Sequence, residues 1–181
     1  MNRSYFADYC GRGPYAEIYR EHSGVANCIA RLRAERARVR SILVLGAATG
    51  LVVRDLETAF AARAWGCELS RWAHARIPAR ARRRIRRADL RRYLPELVRT
   101  GRRFDVLFTS AFVYLASSEL PSVLADCARV TEWLHFYAST SEDFEPNDPA
   151  RVTLRPRAWW RARFRSAGFA PTRSCFLWRL A

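Results

Sequence analysis

From Ile42 to Leu45 the chain runs through four consecutive apolar residues, Ile42-Leu43-Val44-Leu45, two of them β-branched. A run of this length and composition predicts a short buried strand, preceded by Ser41. Gly46-Ala47-Ala48-Thr49-Gly50 then turns the chain, and Val52, Leu56, Ala59, Phe60 and Arg63 follow at helical spacing. The same alternation recurs downstream. Ala64–Cys67 predicts a second strand ending at Glu68, Ile85–Ala88 a short third, Val106–Thr109 a fourth and Trp133–Ala138 a fifth. Before the fifth, Leu120, Val123, Leu124, Cys127 and Ala128 form a continuous helical face, with Ser118 placed to cap it. Ala158–Ala167 predicts a last helix stopped by Gly168, and Phe176–Leu180 a closing strand.

Ahead of the first strand, Tyr5, Phe6, Tyr9, Tyr15 and Tyr19 crowd a stretch that also holds Gly11, Gly13 and Pro14. Ala16–His22 and Val25–Arg38 both suit helices, the second with Val25, Ile29 and Leu32 as its apolar stripe. These residues fit either a helix packed on the sheet edge or a lid whose tyrosines, Tyr15 and Tyr19, line an acceptor pocket. Strands alternating with helices specify an α/β fold, a three-layer, doubly wound, mostly parallel sheet. The expected organisation is an N-terminal helical lid segment over residues 1–40 and the α/β domain over 41–181, forming one compact domain overall.

Strand, glycine turn and helix in direct succession also suggest a nucleotide pocket. Glycine lets a ligand approach the backbone, and the free N–H groups of the helix start face its anionic part. Glu68 comes about 20 residues after the turn, where a doubly wound sheet places an acidic residue within reach of ribose hydroxyls. A carboxylate there can equally complement the dipole of a helix starting at Ser70. Asp89, at the end of the third strand, can accept from an adenine amino group or cap the segment that follows.

Charge and composition narrow the chemistry. The 181 residues carry a net charge of +15, and all of the basic residues are arginine. Without lysine, neither Schiff-base chemistry nor a Walker-type phosphate lysine can operate. The arginines are densest from Arg76 to Arg92, which suits either a solvated face or contact with nucleic acid or another polyanion. Five scattered cysteines, Cys10, Cys28, Cys67, Cys127 and Cys175, show neither disulfide-framework nor zinc-site spacing, so no metal is expected and the thiols should be reduced. No apolar run approaches the length of a membrane span, and residues 1–6 lack the apolar core of a signal peptide, so the expectation is a cytoplasmic protein with no membrane contact.

In this order and spacing the chain resembles a class I (Rossmann-like) S-adenosylmethionine-dependent methyltransferase over roughly residues 40–181. The resemblance rests on Ile42–Gly50, Gly66-Cys67-Glu68-Leu69-Ser70, Ala88-Asp89-Leu90, Phe104-Asp105-Val106-Leu107 and the segment from Trp159-Trp160 to Ala167-Gly168-Phe169. It implies S-adenosylmethionine as cofactor and in-line methylation of an acceptor as the activity. On this resemblance Gly46, Ala47, Ala48, Thr49 and Gly50 lie against the methionine part of the cofactor. Glu68 holds the ribose hydroxyls, Leu69 and Leu90 sandwich the adenine, Asp89 meets its amino group, and Ser110 and Phe112 sit near the sulfonium. Two positions depart from the family pattern. Val44 stands where an acidic residue is usual, and Ala48 stands where glycine is usual, adding a methyl at the turn and restricting φ.

Methyl transfer needs alignment and desolvation more than acid–base help, and a base only when the acceptor must lose a proton. Tyr114, His135, Tyr137, Glu142 and Asp143 are the candidates near the strand ends, with Tyr114 also a candidate for contacting substrate. After the fourth strand Ser110-Ala111-Phe112-Val113 replaces the Asn/Asp-Pro-Pro-aromatic signature of amino-methylating enzymes that act on nucleic-acid bases. A short-chain dehydrogenase is the nearest enzyme rival by its glycine turn, but its Tyr-x-x-x-Lys pair is impossible without lysine. The expected function is methylation of a small-molecule acceptor. The alternative from another class is a non-catalytic methyltransferase-like module that holds an anionic partner such as RNA on its arginines.

Overall fold

The computed structural model describes residues 3–7, 15, 24–138, 140–142, 148, 150–174 and 176–181. Five parallel strands form its centre: β1 (Ser41–Leu45), β2 (Arg63–Glu68), β3 (Ile85–Arg87), β4 (Phe104–Thr109) and β5 (Thr131–Phe136). Two further strands, β6 (Phe169–Pro171) and β7 (Leu177–Leu180), add to the β5 edge, with β7 antiparallel to both neighbours. The order across the sheet is β3-β2-β1-β4-β5-β7-β6. β1, β4 and β5 read as almost unbroken apolar runs because helices cover both faces.

On one face pack α2 (Val25–Ala34), α3 (Leu51–Phe60) and the short α5 (Ala79–Arg82), through Val25, Leu32, Val53, Leu56 and Ala81. On the other pack α6 (Leu90–Arg99), α7 (Leu120–Val130) and α8 (Arg157–Ser166), through Leu94, Leu97, Leu124, Cys127, Trp160 and Phe164. The three-layer α/β arrangement expected from the alternation of elements is the one observed. None of the described helices is long and apolar enough to cross a membrane.

Several boundaries differ from expectation, each for a local reason. The α7 cap position falls on Glu119 rather than Ser118, because the chain turns through Ala116–Glu119 with the Glu119 carboxylate accepting from the Ala116 N–H at 2.9 Å. β5 starts at Thr131 and stops at Phe136, two residues before the expected end. The helix expected over 25–38 ends at Ala34, where Arg36 takes a left-handed φ of 52°. That helix is a layer of the body, since Cys28 and Leu32 are fully buried beside Val53 and Leu56. Within residues 1–40, only α1 (Arg3–Ala7) and Tyr15 of the described residues border the open end of the sheet, and the expected helix 16–22 lies outside the described residues.

Gly66 shows how tightly the sheet is built next to the site. A β-carbon there would sit 1.9 Å from the Val44 carbonyl oxygen. The absence of a side chain lets β2 pair closely with β1 and fixes where Glu68 emerges.

Candidate cofactor-binding site

The strand order reverses between β1 and β4, and in open α/β sheets the crevice beyond the carboxyl ends of the strands at such a point is where ligands bind. A cleft of about 320 Å³ lies there. The turn after β1 contributes Gly46 and Ala48, the end of β2 contributes Glu68, Leu69 and Ser70, and the end of β3 contributes Asp89, Leu90 and Arg91. Ser110, Ala111 and Tyr114 follow β4, and Tyr5, Phe6 and Tyr15 close the N-terminal side.

The glycine turn is held to the sheet by the N–H groups of Gly46 and Ala47, which both donate to the Cys67 carbonyl, at 3.0 and 3.1 Å. Gly46 has φ +78°, a conformation that favours glycine. Ala48 adopts φ 47°, the left-handed region, despite its β-carbon. Its methyl packs in a cluster with Phe6 and Ala73, bordered by Tyr5, Tyr15 and Trp72. Phe6 stacks on Trp72 with ring centroids 5.6 Å apart. The alanine that departs from the family pattern is therefore accommodated under the aromatic segment that covers this end of the cleft. Val44, the other departure, is fully buried in the α2–α3 layer and does not line the cleft.

Glu68 is buried at the cleft floor, with 6% of its surface exposed. One carboxylate oxygen accepts from the Ala48 N–H at 2.8 Å and the other from the Ser70 N–H at 2.7 Å. Burial raises its pKa, and the two backbone hydrogen bonds oppose that rise. An ionised carboxylate has about four acceptor positions, so two remain after the backbone contacts. Ser70, rather than Glu68, caps the following short helix α4 (Arg71–His74), accepting from the Ala73 N–H at 3.2 Å.

Asp89 lines the same cleft and caps α6, accepting from the Arg91 N–H at 2.9 Å. The Arg91 guanidinium grips both Asp89 oxygens and also pairs with Glu119 at 2.7 Å. Hydrogen bonding from Arg91 holds the Asp89 carboxyl below its usual range. Leu69 is 63% exposed and Leu90 is nearly covered, and both line the cleft.

Other candidates stand elsewhere. Ala47 is fully buried, Thr49 and Gly50 are outside the lining, and Gly50 packs towards Ile77 and Pro78. Phe112 turns into the core and stacks on Phe136 at 5.5 Å. His135 is fully buried on the α2 side, stacked on Phe108 at 5.3 Å, with its Nε2 3.4 Å from Asn27 Oδ1. Burial, with a smaller contribution from Arg31, pulls its pKa down to about 3. A neutral imidazole sealed in the core has no access to an acceptor, so His135 does not serve as the base. Tyr137 packs beneath Gly24 and against Phe176, and Glu142 is exposed, 3.7 Å from Arg157, so neither reaches the cleft. Tyr19 and Asp143 lie outside the described residues.

Tyr114 does line the cleft, in company the sequence did not disclose. Its hydroxyl donates to Asp148 Oδ2 at 2.9 Å, the Tyr5 hydroxyl donates to the same oxygen at 2.9 Å, and the two phenol oxygens are 2.8 Å apart. Asp148 is 2% exposed, and its other oxygen accepts from the Ala150 N–H at 2.9 Å. In the sequence Asp148 is one of four acidic residues, with Glu142, Asp143 and Glu145, between Ser139 and Pro149 of a basic chain, which does not single it out.

The arginine-rich segment is partly engaged within the chain. Arg82 donates to the carbonyls of Ala75 and Ile77, Arg84 pairs with Glu57 at 2.6 Å, and Arg76 lies over Trp72 at 3.5 Å. Cys28, Cys67 and Cys127 are buried free thiols, and Cys10 and Cys175 lie outside the described residues.

No family model matches the sequence, and no curated protein does. Solved structures share its fold. The sugar N-methyltransferase KedS8 from Streptoalloteichus superposes with a TM-score of 0.66 at 20% identity, covering 87% of this chain and 85% of that one. A SAM-dependent methyltransferase from Archaeoglobus fulgidus gives 0.63 at 16% identity, over 81% of this chain and 69% of that one. The magnesium protoporphyrin IX methyltransferase ChlM from Synechocystis, solved with S-adenosylhomocysteine (SAH) bound, gives 0.61 at 15% identity, over 86% and 79%. The chain has the fold of the class I S-adenosylmethionine-dependent methyltransferases.

Proposed function

We propose that the protein binds S-adenosylmethionine in the cleft beyond β1–β4 and methylates a small-molecule acceptor. The observation that carries this reading is Glu68. A buried carboxylate, fixed by two backbone N–H groups at the end of β2, retains two acceptor positions where a ribose would present its hydroxyls. The residues present fit the cofactor. Gly46 leaves the backbone approachable, Leu69 and Leu90 offer apolar surfaces, and the Ala48 methyl is taken up by the Phe6 cluster.

When bound, the cofactor supplies an electrophilic methyl group on a sulfonium. The chain's own part is to hold the acceptor in line and to receive its proton. Tyr114 stands at the cleft with Asp148 behind it. As the acceptor nucleophile gives up its proton to the Tyr114 oxygen, the phenol proton passes to Asp148 Oδ2, 2.9 Å away. Tyr5 donates to the same carboxylate oxygen and orients it. Phe6, Tyr5 and Tyr15 cover the N-terminal side of the cleft, which supports the role of this segment as a lid.

The test is thermal unfolding with S-adenosylhomocysteine. At a hundredfold excess over Kd, binding adds about 2.7 kcal/mol, a rise of roughly 5–10 °C for a chain of this size. Glu68→Gln should remove most of that rise while circular dichroism stays unchanged. No shift at millimolar ligand would overturn the proposal.

A further inference from the structure

Residues 71–92 hold ten of the chain's 32 arginines, against one carboxylate, Asp89. The use of arginine for lysine throughout the chain sets the residue type but not this crowding. The fold gathers the segment at one edge of the sheet. β3 is the outermost strand, α4 and α5 lead into it, and α6 leaves it. Much of the charge is left uncompensated. Arg71, Arg80, Arg83, Arg87 and Arg92 are exposed and pair with no carboxylate among the described residues. Arg76 and Arg82 donate to backbone carbonyls, which leave their charge in place. The strip begins at the cleft: Arg71 follows Ser70, Arg87 is the register partner of Glu68, and Arg91 lines the cleft itself.

We propose that this edge binds the phosphate backbone of double-stranded RNA. Guanidiniums take phosphates by charge-assisted, often bidentate hydrogen bonds. A protein partner would need an apolar or aromatic centre to its interface, and a membrane surface would need apolar side chains to insert. The large apolar residues exposed among the described residues are Leu69, Val152 and Leu154, none of them within 71–92. Single strands stack on open aromatic faces, whereas Tyr93 is buried and Trp72 is taken up by Phe6 and Arg76. Helices α4 and α5 have four residues each. At about 6 Å long they are too short to read the major groove of DNA. The wide, shallow minor groove of an RNA duplex instead presents its phosphates to a blunt basic edge. The inference goes beyond the methyltransferase reading and does not rest on it.

The test is fluorescence anisotropy of a labelled RNA duplex of about 20 base pairs, titrated with the full-length protein. The parent should bind with a micromolar Kd at about 0.1 M salt, and log K should fall linearly with log salt. Arg80→Gln, Arg83→Gln and Arg87→Gln together should weaken binding at least about tenfold and make the salt slope shallower by about two to three. Arg161→Gln, Arg165→Gln and Arg173→Gln remove the same charge around α8 and the β6–β7 hairpin, at the opposite edge of the sheet, and should bind like the parent. All six arginines are exposed, and circular dichroism checks that both variants fold. Absence of binding would overturn the proposal, as would a Arg80/Arg83/Arg87 variant that binds like the parent or a control variant that loses as much. A DNA duplex of the same sequence that binds as tightly, or displacement of the RNA by an equal charge of poly-glutamate, would overturn it as well.

Discussion

Tyr5 and Asp148, 143 positions apart in the chain, meet through a 2.9 Å hydrogen bond from the phenol to Oδ2. Tyr114 donates to the same oxygen. Three residues from the first helix, the turn after β4 and the loop before α8 are thereby joined at one edge of the cleft. Tyr5→Phe and Tyr114→Phe should each cost about 1 kcal/mol. The two substitutions should be coupled by at least about 0.5 kcal/mol, because each phenol contacts the other and their shared acceptor. Urea denaturation of the two single variants and the double variant gives the coupling directly. Strict additivity would mean that the two phenols act separately.

For catalysis the two tyrosines should differ. Tyr114→Phe removes the proposed proton acceptor and should lower kcat by about 10²-fold or more with little change in KM, for acceptors that must lose a proton. Tyr5→Phe only relaxes the orientation of Asp148 and should cost less. The same fall in kcat for both would shift the proton-accepting role away from Tyr114.

Ala48 carries a left-handed φ of 47°, and its methyl is covered by Phe6 and its neighbours. Glycine there would relieve about 1–2 kcal/mol of backbone strain. It would also bring an entropic cost of about 0.5–1 kcal/mol and forfeit about 0.8 kcal/mol of methyl burial. Ala48→Gly should thus change stability by less than about 1 kcal/mol and leave SAH affinity intact. Ala48→Val, β-branched at a positive φ, should destabilise by roughly 1–3 kcal/mol. A large gain in SAH affinity for Ala48→Gly would show that the alanine obstructs the cleft.

How far the molecule can be read from its residues depends on where each signal resides. β1, the glycine turn and α3 are encoded by adjacent residues, and Glu68 follows from its position at a strand end, so all four were legible. Helix α6 was not, although Leu90, Tyr93, Leu94 and Leu97 have helical spacing. Arginines at 91, 92 and 99 and Pro95 within the helix obscured that stripe. In the β6–β7 hairpin, β7 was legible as the closing strand over 176–180, whereas β6 was hidden because it has only three residues. His135 misled because β5 is buried on both faces, and nothing in its sequence says which side the imidazole takes. Asp148 was hidden for a different reason: its partners are 143 and 34 positions away, and no local pattern encodes such a contact.

Gly66 tests the packing that places Glu68. A β-carbon at this position would lie 1.9 Å from the Val44 carbonyl oxygen, a backbone atom that cannot swing aside. Gly66→Ala must push β2 away from β1 and should destabilise by more than about 3 kcal/mol, outside the usual range for single substitutions. The denaturant midpoint measures this. A loss under about 1 kcal/mol would mean that the strands separate easily.

His135 should set the acid limb of stability. Its pKa in the folded protein is about 3, against 6.5 for an unperturbed histidine, so folding holds the imidazole neutral. The unfolded chain takes up a proton as the pH falls through 6.5, and the folded chain does not until near 3. Stability from this group is therefore complete above 6.5 and declines as the solution is acidified, approaching about 1.4 kcal/mol per pH unit. Because burial also raises the Glu68 carboxyl, the His135 contribution below pH 6.5 is read as the difference in slope between the parent and a His135 variant. His135→Gln should flatten the slope there, whatever its effect on stability at neutral pH. An unchanged slope would mean that the folded protein protonates His135 readily, by opening the contact between β5 and α2 around Asn27.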